Sequence, residues 1–530
     1  MHKIEAKFSK ALAKAPFDTS RVECLILSSD AFESAFQKRS WMSADVEVQL
    51  KKKLAALKDE KSDKKTGKEK TEKETSKADP LKTPSFDSLK VHFSQGGESI
   101  ALALPKESFS TFEFFTALRK AFAGFFGEGA KHDILIDLSD IARKSESLQL
   151  AVVEAFGHLS ESCDWKPMGF GKKAEAKSKF KELKFEFVSK LAPKKLQMAF
   201  DMGRVKARAC NYVRTLTEMP PNELNPEGYR KHIDLFVKKH GLKQEFFDTA
   251  KLAKLGANAF LAVVRADPNS KGGIAKLTYS PKTKAKKKIA LVGKGLCFDT
   301  GGYNVKTGDF MHGMHGDMMG SAVALAALEA FKELELPYEV TSYLAIAENL
   351  ISPTGFKPNE VVVAMNGMSI EVVDTDAEGR MVLSDTLTLA SREKPDLIID
   401  YATLTGSVIR ALDRRRSGIY TNQMKYLSMA LEAGEQSGER VWGFPIGRDY
   451  LEVLKSEHAD IKQCNPAWNA DHIYAATFLS RFVESEIPWF HMDLAASESK
   501  GGLGLVSTDT TGFGIGWTLS FVESFFKRAK

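Results

Sequence analysis

The chain has 530 residues, 43% hydrophobic and 27% charged, with a formal net charge of +7 at pH 7. That length exceeds what one core usually supports, and the composition is that of a soluble globular protein, so two domains are expected. Much of the positive charge sits in Lys-rich stretches (51–84, 172–184 and 282–288), the first of which also carries many acids, and such stretches are more often solvated loops than a nucleic-acid footprint.

Cys24, Cys163, Cys210, Cys297 and Cys464 are scattered without CxxC or CxH spacing, which argues against a disulfide framework or a thiolate zinc site and for a reducing compartment. No apolar run approaches the roughly 18 residues of a membrane-spanning helix, and no secretory h-region follows the first residues. A cytoplasmic protein without a membrane partner is the expectation.

In chain order, strands are expected at 22–27, 99–104 and 133–138, and helices at 111–126 and 148–158, together a smaller α/β domain. Residues 58–84 interrupt it with Lys, Glu, Asp, Ser and Thr, no aromatic residue, and Pro80 and Pro84 at the close. Such a segment buries too little surface to offset its ordering entropy, so a disordered insertion, dispensable for catalysis, is expected. A helix over 192–218 runs into Pro220-Pro221-Asn222-Glu223-Leu224-Asn225-Pro226, a stop and turn. The domain boundary is placed near it, giving an N-terminal domain 1–200 and a larger domain 201–530. Beyond it, strands are expected at 259–264, 289–292, 340–346 and 397–400, with a helix over 321–336 among the segments between them. The larger domain therefore reads as a mixed-sheet α/β fold covered by helices.

Two acid clusters stand at or just after expected strand ends, where open α/β sheets carry ligand sites. One runs from Gly293 and Lys294 through Asp299, Gly301 and Gly302, with Lys306 and Asp317 downstream; the other is Asp374-Thr375-Asp376-Ala377-Glu378-Gly379-Arg380. Carboxylates among glycines and apolar residues cost too much to bury unpaired, and divalent metal is the natural way to hold several together. Asp376 and Glu378 would leave one face of an extended segment, and Asp317 would open the helix containing Gly320 and Ser321. An isolated Asp is usually a helix cap; four acids with two lysines and an arginine suit two cations about 3.5–4 Å apart, and hence a two-metal hydrolase. Carboxylates without histidine suit Mg or Mn at least as well as Zn. His312 and His315 have the spacing of one helical turn, but Gly313 and Gly316 argue against a regular helix, so neither is taken as a ligand.

These motifs resemble the leucyl (cytosol) aminopeptidase family, whose signature reads Asn-Thr-Asp-Ala-Glu-Gly-Arg-Leu. The chain matches it from Thr375 to Arg380 and departs at Asp374 and Met381. The 293–317 segment, Pro220-Pro221-Asn222 and Asp400-Tyr401-Ala402-Thr403-Leu404-Thr405-Gly406 match in order, covering essentially everything after residue 200. The resemblance implies a tight metal site of Lys294, Asp299, Asp317 and Glu378. It also implies an exchangeable one of Asp299, Asp376 and Glu378, filled by Zn or Mn, with Co or Mg as further candidates at the second. Lys294 would then ligate as a neutral amine, its pKa depressed by the metal. The resemblance further implies that Lys306 stabilises the oxyanion, that Arg380 with Gly379 and Met381 holds a bicarbonate general base, and that Lys306, Thr403, Leu404 and Gly406, with Met314 nearby, line an apolar substrate pocket. Short peptides would be cleaved at a free N-terminus, apolar residues such as leucine preferred, in a homohexamer.

Two other classes remain. Some family members also bind DNA through the N-terminal domain, but here the Lys clusters lack interleaved aromatic residues and no helix-turn-helix or zinc-finger spacing appears, so no nucleic-acid partner beyond weak nonspecific binding is expected. A two-metal phosphoesterase would use shared carboxylates with histidines alongside, and histidine is nearly absent from these clusters.

Overall fold

The computed structural model describes residues 3–9, 21–28, 88–92, 98–104, 109–123, 130–138, 145–170, 180–267, 270–467, 469–484 and 486–528, so the Lys-rich 58–84 segment lies outside the described residues. The chain divides into two units, 1–164 with 175–204, and 165–174 with 205–530.

The first unit is built on a six-stranded sheet of β1 (Lys3–Ser9), β2 (Arg21–Ser28), β3 (Ser88–His92), β4 (Glu98–Leu104), β5 (Ala130–Asp137) and β6 (Phe180–Val188), in the order β1-β6-β5-β2-β4-β3. All neighbours are parallel except β3 and β4. Helices α1 (Thr111–Ala123) and α2 (Glu146–Ser162) occupy the expected helical stretches. Ser145 caps α2, its hydroxyl accepting from the Leu148 N–H at 3.3 Å. Phe122, Phe156, Phe185, Phe187 and Phe200 form a buried aromatic core, with Phe122 and Phe156 edge to face at 5.3 Å. The boundary between the units falls inside α3 (Pro193–Thr217), which starts on a proline and ends three residues before Pro220.

The second unit carries an eight-stranded mixed sheet. Its strands are β7 (Lys243–Asp248), β8 (Gly273–Tyr279), β9 (Lys287–Asp299), β10 (Tyr338–Asn349), β13 (Leu397–Ala402), β14 (Ser417–Thr421), β15 (Val441–Gly443) and β17 (Trp489–Asp493). They are ordered β15-β14-β17-β13-β9-β10-β8-β7. A small sheet of β11 (Val361–Val363), β12 (Ser369–Glu371) and β16 (Ile461–Lys462) accompanies it. The central strands β17, β13, β9 and β10 run parallel. Every residue of β13 is buried, as a strand covered on both faces requires. No helix among the described residues is long and apolar enough to cross a membrane.

Asn225 and Pro226 start α4 (Pro226–His240), the Asn225 side chain accepting from the Gly228 N–H at 2.9 Å. The strand expected at 259–264 is instead a helix, α5 (Asn258–Val264). A six-residue apolar run has no period long enough to separate buried strand from buried helix. What stabilises the helical choice lies far away in sequence: Asp385 Oδ2 accepts from the Phe260 N–H at 2.9 Å, satisfying a first-turn donor that Ala257 cannot cap.

Helix α6 (Met319–Glu333) lies close on β9 and β13, and glycine makes the approach possible. A Cβ on Gly320 would sit 2.2 Å from the Tyr401 carbonyl oxygen. Gly320→Ala is therefore expected to cost about 1–3 kcal/mol, because backbone cannot yield as a side chain does. Thermal unfolding would register this as a fall of several degrees in Tm.

Candidate metal centre

The carboxyl ends of β9, β10 and β13 meet at one edge of the sheet, and the acids gather there. Lys294 lies within β9 opposite Ala345, and Asp299 closes the strand opposite Asn349 across a register shift. Asp299 Oδ1 accepts from the Gly301 N–H at 2.9 Å and from Asn349 Nδ2 at 2.8 Å, which fixes its orientation. Asp317 does not begin a helix as expected; it follows the short 3-10 turn Met314–Gly316 and precedes α6. Its Oδ1 accepts from Thr403 Oγ1 at 2.7 Å, just beyond β13.

Asp376 and Glu378 also differ from expectation, since they do not share an extended segment. Asp376 sits in a turn, and Glu378 is the first residue of α7 (Glu378–Ser391). Thr375 ties this turn to the 299–306 loop: its hydroxyl donates to the Gly301 carbonyl at 2.6 Å and accepts from the Asn304 N–H at 2.8 Å. Asn349 Nδ2 also donates to the Thr375 carbonyl at 3.0 Å, so one amide holds both loops. Among the described residues, Asp299, Asp376 and Glu378 bring carboxylate oxygens within 4.8 Å of one another, a group able to hold a metal ion. His312 is exposed and His315 half-buried on the turn before Asp317, and neither belongs to that group.

Two ammonium groups lie among the acids. Lys294 Nζ is 2.9 Å from Asp317 Oδ2 and 3.0 Å from Glu378 Oε1, and donates to the Thr403 carbonyl at 3.2 Å. Lys306 Nζ is 2.9 Å from Asp299 Oδ2 and 2.5 Å from Asp376 Oδ1. Burial works against both charges, but the surrounding carboxylates outweigh it and hold both lysines above their usual range. A neutral, ligating Lys294 would need a cation to displace this ammonium from Asp317 and Glu378. Burial, reinforced by neighbouring carboxylates, pushes Asp317 up to about 7 against the pull of Lys294, and Asp376 up to about 8 against that of Lys306. Glu378 Oε2 is buried without a hydrogen-bond partner. An orphaned carboxylate oxygen beside two further acids is the environment a divalent ion satisfies, so the residues fit a metal.

Around this cluster the other expected residues take varied places. A Cβ on Gly379 would meet Lys294 Nζ at 2.6 Å and Leu404 Cδ1 at 2.9 Å, so this residue makes room for the lysine. Met381 is fully buried in the core of the second unit, with Leu404 packed partly buried against it. Leu404 N–H donates to Asp493 Oδ1 at 3.0 Å, and Gly406 opens α8 (Gly406–Leu412) with free space where a side chain would project. Thr403 is engaged on both its hydroxyl and its carbonyl by Asp317 and Lys294. Met314 is half-buried on the 3-10 turn.

Arg380 departs most from its expected role. Its Nη2 donates to both carboxylate oxygens of Asp471, at 3.0 and 2.8 Å, and its Nη1 to the Gln463 carbonyl at 3.2 Å. The donors expected to cradle bicarbonate are thus turned to the chain's own groups. Asp374 also faces inward to its turn, its Oδ1 accepting from the Asp376 N–H at 2.7 Å.

Asn349, Gln463, Asp471 and Asp493 were not found from the sequence. Gln463 accepts from the Val373 and Asp374 N–H groups at 3.1 and 3.2 Å and donates to the Ala377 carbonyl at 2.9 Å, bracing the whole 373–377 turn. None carries a local motif; each reaches the site through a separate strand, loop or helix.

A model of the cytosol aminopeptidase family catalytic domain matches residues 211–519, more than half of the chain. The chain is 36% identical over 326 residues to a probable cytosol aminopeptidase of Sulfurihydrogenibium sp. (strain YO3AOP1), covering 62% of this chain and 64% of that one. It is 37% identical over 324 residues to a probable cytosol aminopeptidase of Chlorobaculum tepidum, covering 61% and 64%. The matches thus span just under two thirds of these relatives' length. Among solved structures, the fold is similar to leucyl aminopeptidase from Trypanosoma cruzi (TM-score 0.74, 21% identity, 98% of this chain and 96% of that one). It is similar also to the bottromycin maturation enzyme BotP in complex with Mn (TM-score 0.72, 25% identity, 96% and 99%). With its α/β architecture and the match over the whole acid-bearing region, the chain belongs to the cytosol aminopeptidase family.

Proposed function

We propose that this protein is a metal-dependent aminopeptidase that releases N-terminal residues, apolar ones such as leucine preferred, from short peptides in the cytoplasm. The observation that carries the reading is the convergence of Asp299, Asp376 and Glu378, with Lys294 and Asp317 alongside, inside the segment that the family model matches. Asp299, Asp376 and Glu378 would hold one divalent ion, and Lys294, Asp317, Asp299 and Glu378 a second. Zn and Mn are the leading candidates, the latter supported by the Mn complex of the structural relative. Such ions, when bound, supply an acidified water as nucleophile and polarise the scissile carbonyl.

The chain's own groups do the rest. Thr403 holds Asp317 by its hydroxyl and takes a hydrogen bond from Lys294 on its carbonyl, so the end of β13 sets both groups together. Asn349 orients Asp299 and ties its loop to the Thr375 turn. Lys306 carries a positive charge at the less buried edge of the cluster, where it would meet the negative charge growing on the substrate carbonyl oxygen. Leu404 offers an apolar surface and Gly406 open space beside it for the substrate side chain. A homohexameric assembly belongs to the same reading.

Leucine amide and N-acetyl-leucine amide separate this from other two-metal chemistry. Hydrolysis of the free amine alone, lost on chelation and restored by Zn or Mn, is expected. Equal cleavage of the acetylated substrate would mean that the free amine is not read and would remove the exopeptidase assignment.

A further inference from the structure

Asp471, the partner of Arg380, has no part in the family resemblance, yet the pair is deeply buried: the side chains are 2% and 4% exposed. A guanidinium grips a planar anion through two parallel N–H bonds, along either its Nε–Nη2 edge or its Nη1–Nη2 edge. Both edges include Nη2, and in this chain Nη2 is bonded to both oxygens of Asp471. Nη1 is further committed to the Gln463 carbonyl, leaving Nε as a donor without a partner. A dissolved bicarbonate therefore has no two-donor edge to bind.

Asp471 is aimed at that place by the backbone. It is the first residue of α9 (Asp471–Leu479), and Ala470 before it adopts φ 52°, a left-handed conformation unfavourable for alanine. The next residue is pinned as well, with the His472 N–H donating to Ser407 Oγ at 2.8 Å in the first turn of α8. A strained residue and an anchored helix start together hold the carboxylate on Arg380.

We propose that Asp471 is the built-in anion of the Arg380 site and takes the place of dissolved bicarbonate, so that hydrolysis by this chain is bicarbonate-independent. This rests on the aminopeptidase reading above. The test uses the full-length, metal-loaded protein in buffer stripped of carbon dioxide, with and without added bicarbonate. The wild type is expected to keep kcat within twofold under both conditions. Asp471→Gly, which frees both edges of the guanidinium, is expected to lose roughly tenfold or more in kcat and to recover on adding bicarbonate, in line with the 10–100-fold typical of groups that orient metal-site residues. Bicarbonate should also raise the Tm of Asp471→Gly and leave that of the wild type unchanged, because only the variant has a site to fill. Asp471→Asn, which keeps the shape and fills the site with a neutral amide, should lose kcat without recovery, and it decides the matter if the glycine variant does not fold.

Activation of the wild type by bicarbonate would overturn the proposal. So would a folded Asp471→Gly with wild-type kcat and no response in Tm, which would make the pair merely structural. If the wild type hydrolyses nothing with any metal, the aminopeptidase reading has failed, and the melting comparison still judges the anion site by itself.

Discussion

Glu378→Ala is expected to lower kcat/KM by more than about 10²-fold while the protein still folds. Glu378 belongs to both halves of the cluster: its Oε1 faces Lys294, and it completes the carboxylate group with Asp299 and Asp376. Changing a residue that merely orients a metal ligand typically costs 10–100-fold in affinity or activity, so removing a carboxylate in direct reach should cost more. Folding should survive because the change removes one negative charge from a crowded set. Lys294 keeps Asp317 at 2.9 Å, and both Asp317 and Asp376 lose a neighbour that helps to push their carboxyls upward. Elemental analysis for bound metal, read beside kcat/KM and a melting curve, checks the assignment. Full metal content with undiminished turnover would place the catalytic acids elsewhere.

The parts of the fold that were legible in the sequence are those whose determinants are local. β9 is announced by its apolar run, and α3 by the prolines beyond its end. The 259–264 run was misread because the deciding group, Asp385, lies 125 residues from Phe260. At the site, the density of acids and glycines located the region, but spacing misled about conformation. Two acids two residues apart suit a strand, yet they equally suit a turn followed by the first residue of a helix, where a Glu is favoured by the helix dipole. The bracing residues had no such signal. Asn349, Gln463 and Asp493 act from separate loops and strand ends, as long-range partners that a single sequence does not disclose. Arg380 is the clearest case, because its motif is intact while the partner that takes up its Nη2, Asp471, lies 91 residues later.

Gly379→Ala is expected to impair both stability and activity, against the intrinsic trend. At an unconstrained helical position this substitution stabilises by up to about 1 kcal/mol, since glycine loses more backbone entropy than alanine. Here the new methyl would stand 2.6 Å from Lys294 Cε and Nζ and 2.9 Å from Leu404 Cδ1. A lysine terminus usually yields cheaply, but this one is held by Asp317, Glu378 and the Thr403 carbonyl, and the side chain is 4% exposed. To move aside, Lys294 must leave at least one of its buried carboxylates, and separating a buried pair is the costly step, on the order of 3–5 kcal/mol when complete. Partial displacement with overpacking should cost about 1–3 kcal/mol net of the entropic gain. Activity should fall at least tenfold, because about 1 Å of misplacement in a reacting centre can cost 10²-fold. Urea unfolding and kcat/KM on the same preparation check both arms. A variant more stable than the wild type and fully active would mean that Lys294 moves freely, and that the contact with α7 is not what fixes it among the acids.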